Sequence, residues 1–148
     1  MTKKEVREIL FEYKNYALRR RELNDEIGQI RGDIDRLRSL VAVKYDGMPR
    51  GSGIGDPTGE AAVHIMDIYE KRIGLLKEKM EALDGRRILA ERLLNVLDET
   101  ERKVIVARYI KGIRWDHIPA QVYLCRRSCF NYRDRAMEKM MGVEVEVG

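Results

Sequence analysis

Through the first forty residues, apolar and aromatic side chains recur at alternating steps of three and four. They fall at Val6, Ile9, Tyr13, Tyr16, Leu23, Ile27, Ile30, Ile34, Leu37 and Val41, with Arg20 at the one missed position. This is a heptad seam held for five repeats, the pattern of a helix packed lengthwise on another helix. Gly28 and Gly32 interrupt the segment at a cost of about 1 kcal/mol each relative to Ala, which so regular a seam tolerates.

The partner helix follows in the same chain. Residues 46–57 form the only stretch dense in Gly and Pro, and five glycines between 47 and 59 exclude a continuous helix there. The stretch lacks the Gly-Lys-Ser/Thr ending of a phosphate loop, and Asp56 stands where a dinucleotide fingerprint needs glycine, so it reads as a connection. Asp56 is placed to cap the next helix and Pro57 suits its first turn. Beyond it Ala62, Ile65, Tyr69, Leu76, Met80, Leu83, Ala90, Leu94 and Leu97 continue the spacing, interrupted at Arg72 and Arg87. Two stretches of roughly 60 Å, at 1.5 Å per residue, joined by a short loop predict an antiparallel coiled-coil hairpin over residues 2–97. Gly85 is the expected bend.

Composition narrows the class. With no apolar run beyond about five residues, a membrane-spanning helix is excluded. The first residues lack an apolar secretory core, and two cysteines are too few for a disulfide scaffold, so a cytoplasmic chain is expected. The 29 Lys and Arg against 25 Asp and Glu are unevenly spread. Between Arg102 and Arg135 stand nine basic groups and only two acidic ones, Asp116 and Asp134. Such a field attracts a polyanion.

The same region carries three short helical patterns. Asp98 and Glu101 have capping-box spacing ahead of Val104, Ile105, Ala107, Tyr109 and Ile110, a helix expected to end before Gly112. Ile113, Trp115, Ile118 and Val122 predict a second helix, capped by Asp116, with Pro119 in its first turn. Trp115 reads as core, with its indole N–H free to meet a phosphate. After Tyr123 and Leu124 a third helix runs from Cys125 to about Met140. Cys125, Cys129, Tyr132, Ala136 and Met140 make its inner face, which buries both thiols. Arg127, Asn131, Asp134 and Glu138 lie opposite, with Arg126 and Phe130 on one shoulder. Arg pairs with guanine, Asn with adenine, and Phe packs on a thymine methyl. A basic helix behind a tight turn and a short helix predicts a helix-turn-helix over 98–141, with 142–148 as a tail.

Leu97 to Met140 resembles region 4 of bacterial sigma-70 factors, which reads the promoter −35 element. The likeness lies in Leu97-Asp98-Glu99-Thr100-Glu101-Arg102-Lys103-Val104-Ile105, in Arg108-Tyr109-Ile110-Lys111-Gly112, in Trp115-Asp116-His117-Ile118, and in the Arg-Ala-Met-Glu-Lys-Met ending of the third helix. Placed behind a helical hairpin, it is similar to phage transcriptional regulators of the RinA and ArpU type. The resemblance implies a phage-encoded activator working with host RNA polymerase. Pro119 replaces the usual small residue, Cys125 the usual Ser or Thr cap, and Tyr123 the glycine of the turn.

The expected protein is all-α and no enzyme, needing neither cofactor nor metal. Double-stranded DNA is its expected partner, and it is expected to form homo-oligomers. Arg126, Arg127, Ser128, Phe130 and Asn131 are the expected major-groove residues; Arg108, Lys111, Arg114 and Arg133 are the phosphate candidates. A protein-interaction module that contacts polymerase, or a DNA-packaging adaptor like a small terminase subunit, are the alternatives. His64 and His117 have no nucleophile pattern beside them, and Cys125 and Cys129 lack the second ligand pair of a zinc site.

Overall fold

The computed structural model describes residues 1–46 and 57–145, and every regular element among them is a helix. Helix α1 spans Lys3–Asp46, α2 Pro57–Asn95, α3 Glu99–Ile105, α4 Ile118–Val122 and α5 Arg126–Met141. The all-α class expected from the heptads is therefore present. The expected connection, apart from its flanking Asp46 and Pro57, and the last three tail residues lie outside the described residues. None of the described helices is long and apolar enough to cross a membrane.

The chain divides into two compact units, one of residues 19–81 and one of 1–18 with 82–148. In the first, Leu23, Ile27, Ile30 and Ile34 of α1 and Ile73 and Leu76 of α2 are buried. Arg72 donates to Glu26 at 2.7 Å and Arg38 lies 3.5 Å from Glu70, so the two segments run antiparallel. These pairs are exposed and contribute little to stability. The stripe on α2 differs by one residue from the expected one. Ile65 is 39% exposed, whereas Ile73 is buried and Met66 half-buried. Counting Ala62, Met66, Tyr69, Ile73, Leu76, Met80 and Leu83 removes the interruption at Arg72, because a helix admits the neighbouring residue without breaking the three–four rhythm.

The second unit has one main core. It joins Val6, Ile9 and Leu10 of α1, Leu89, Ala90, Leu93, Leu94 and Leu97 at the end of α2, Ile105, and Ala136, Met137 and Met140 of α5. The expected boundary between residues 97 and 98 thus falls inside this unit. Leu10, Leu89 and Leu93 lie beside the seam and are buried because these helix ends meet two partners rather than one. Arg86 grips Glu12 through two hydrogen bonds, at 2.6 and 3.1 Å, and Tyr16 donates to Asp84 at 2.5 Å. Helix α2 continues through Gly85.

The capping box forms as expected. The Asp98 carboxylate accepts from the Glu101 N–H at 2.8 Å, and Glu101 accepts from the Asp98 N–H at 3.1 Å. Glu101 is fully buried and takes the Lys139 ammonium of α5 at 2.5 Å. Arg102 donates to the carbonyls of Leu94 and Leu97, closing the end of α2. Beyond α3 the chain widens into a π-helical turn, Val106–Ile110, and breaks at Gly112, whose φ of 70° suits only glycine well. A small second core, Ala107, Ile118 and Cys129, receives Ile113, Trp115, Val122 and Leu124 at its edge.

Candidate nucleic-acid interface

Helix α4 begins with Pro119 in its first turn, as the sequence predicts, but Asp116 does not cap it. His117 holds the cap position with no side-chain hydrogen bond, and Asp116 lies 3.6 Å from Arg126 instead. The turn after α4 is made by Tyr123 at φ 57°, a left-handed residue whose side chain is 93% exposed. It supplies the geometry usual for glycine at the backbone cost of a side chain.

Cys125 precedes α5 in extended conformation. Contrary to the expected inner face, it is exposed, and Met137 takes the buried place alongside Cys129, Ala136 and Met140. The count from Cys125 fails because a cap residue is not yet helical, so the 100° step starts at Arg126. The Cys125 sulfur lies 3.1 Å from the Ser128 hydroxyl. That hydrogen bond, helped by backbone N–H groups at the helix start, lowers the thiol below its ordinary value. Burial pushes the Cys129 thiol up.

Eight of the nine residues singled out in the sequence fall into two groups, and Ser128 stands apart. Arg127 and Asn131 are exposed one turn apart on α5, and Lys111 and Arg114 are exposed in the segment before α4. None of these four side chains has a hydrogen-bond or ion-pair partner among the described residues. Arg108, Arg126, Phe130 and Arg133 are drawn together around Trp115. The Trp115 and Phe130 rings lie 5.1 Å apart, tilted by 48°. Arg133 packs over both, 5.3 Å from the indole and 4.8 Å from the phenyl ring. Arg108 covers Trp115 at 5.6 Å and Arg126 covers Phe130 at 5.6 Å. Phe130 is thus half-buried against an indole, and Ser128 is engaged by Cys125. Trp115 belongs both to the edge of the second core and to this cluster.

Electrostatics follow the same division. The two acids of the 102–135 stretch are both taken, Asp116 by Arg126 and Asp134 by Arg133 at 2.9 Å. The unpartnered cations are therefore uncompensated locally. An open groove of about 430 Å³ lies against α3 and α4, with Val106, Ala107, Ile113 and Val122 as its apolar lining and Lys103 and Lys111 among its charged residues. Among the described residues, no three His, Cys, Asp or Glu side chains converge as metal ligands.

No family model, curated protein or solved structure matches this chain. The functional reading rests on the chemistry of the α5 surface.

Proposed function

We propose that the protein is a sequence-specific regulator of transcription that binds double-stranded DNA through a helix-turn-helix made of α4 and α5. The carrying observation is the pair Arg127 and Asn131, exposed one helical turn apart at the start of a basic helix and without a side-chain partner among the described residues. Guanidinium and carboxamide groups are the two that pair bidentately with guanine and adenine edges. Lys111 and Arg114 then serve the phosphates on one flank. In keeping with the resemblance to sigma region 4 and to regulators of the RinA and ArpU type, the protein acts in a bacterial host cytoplasm as a phage-encoded activator beside host RNA polymerase, and it catalyses no reaction.

The groove beside α3 favours a second reading, a module that docks a partner protein, because its lining joins apolar residues to Arg102, Lys103 and Lys111 against the one acid Glu99. Selection from random duplexes, read by sequencing, separates the readings. An enriched motif supports the regulator. Weak sequence-blind retention points to a packaging adaptor, and no retention to the interaction module.

A further inference from the structure

Arg108 has a feature that ordinary ion pairs lack, and Arg133 keeps it on the edge turned away from Asp134. A guanidinium laid on an aromatic face keeps its in-plane N–H groups available, whereas one paired with a carboxylate uses them. Arg108 directs one N–H to the Ile113 carbonyl at 3.3 Å and stacks on the indole with the rest of its fork uncommitted. Arg133 turns one edge to Asp134 at 2.9 Å and rests on both rings, its side chain 32% exposed. Arg108 and Arg133 thus both lie on the Trp115 indole, and Asp134 pairs with Arg133 alone.

We propose that Trp115, backed by Phe130, is a positioning residue: it presents Arg108 and Arg133 as a preformed clamp for the DNA phosphates that flank the bases facing Arg127 and Asn131. This rests on the DNA-binding reading above and deepens it. A free arginine loses much rotamer freedom on meeting a phosphate, and a stacked one has already lost it. The indole therefore raises affinity for every duplex, with no preference for sequence. Phe130 acts here through the arginines instead of through a thymine methyl.

The test measures binding of the full chain to a random-sequence duplex across a salt series, with circular dichroism as the check on folding. Each phosphate contact contributes about 0.9 to the slope of log affinity on log salt. In Trp115→Leu the slope becomes shallower by about two, and Trp115→Phe restores it because a ring remains. A folded Trp115→Leu protein with the wild-type slope overturns the proposal, whatever its affinity or melting temperature, because a merely structural indole would leave the number of phosphate contacts alone. If Trp115→Leu does not fold, Arg108→Gln and Arg133→Gln decide: each flattens the slope by about one, and two unchanged slopes overturn the clamp. A wild-type chain that retains no duplex at low salt removes the DNA-binding reading itself, and the clamp with it.

Discussion

Glu101 holds three parts of the C-terminal region with one carboxylate oxygen. Its Oε1 accepts from the Asp98 N–H and from Lys139, while Oε2 is buried without a hydrogen-bond partner among the described residues. Removing the cation leaves a buried charge half-satisfied, which is costly in a way that an exposed pair is not. Lys139→Met should destabilise the protein by about 1–3 kcal/mol in urea unfolding, since Lys139 is itself half-exposed. Adding Glu101→Gln should recover part of that loss, and a single variant that melts like wild type would contradict a stabilising role for the Glu101–Lys139 contact. Asp98 adds a pH dependence. The Glu101 backbone N–H, above all, holds its carboxyl below the usual range. A depressed carboxylate stabilises the fold above its unfolded pKa of about 3.9 and loses that contribution as pH falls through the lower folded value. Thermal melts of Asp98→Asn should accordingly fall less steeply than wild type below pH 4. At Cys125 the same logic concerns reactivity. Alkylation should modify Cys125 well before the buried Cys129, and Ser128→Ala should shift the pH profile of that reaction upward.

At the scale of elements, the α1 seam is the easiest part to check. Ile30 is buried in it, and Ile30→Asp should cost several kcal/mol, lowering the helical melt; an unchanged melt would mean that the segment has no packed partner. The turn before α5 predicts a change of opposite sign. Tyr123 sits at φ 57° with its side chain almost wholly in solvent, so Tyr123→Gly relieves backbone strain and forfeits little packing. Its unfolding free energy should rise by about 1 kcal/mol. These elements were legible in sequence because they obey local rules. A heptad needs one partner, a capping box two residues, and a proline its first turn. Leu10, Leu89 and Leu93 escaped because their burial depends on a second neighbour brought from far along the chain. Phe130 was legible as a surface aromatic on α5 but not as Trp115's neighbour, since nothing local places a loop indole against that helix. The α2 stripe slipped by one residue at Ile65 because adjacent apolar residues satisfy a three–four count equally well.

For the molecule as a whole, the proposed function separates two kinds of cation. Arg127→Ala and Asn131→Ala should each lose roughly 1–3 kcal/mol on the selected duplex and less on a scrambled one. Lys111→Ala and Arg114→Ala should weaken both duplexes alike and flatten the salt dependence by about one per charge. Equal losses on both duplexes for Arg127→Ala would reduce α5 to an electrostatic handle. Self-association is expected from a different surface. Ile65, Ile68 and Leu75 remain exposed along α2, and Leu40 on α1, an apolar strip that a two-fold partner would cover. Sedimentation at tens of micromolar should find a dimer; monomer alone would leave that strip unexplained.

The core that joins Val6, Ile9 and Leu10 to Met137 and Met140 also dictates an order of events on the ribosome. Residues 19–81 find their partners within their own stretch and can pair as soon as that stretch has emerged. The first turns of α1 are made earliest, yet their apolar side chains have no complete cover until α5 leaves the exit tunnel. Nascent chains arrested before Met137 should therefore expose Val6, Ile9 and Leu10 to chaperones, and release should bury them within a single step.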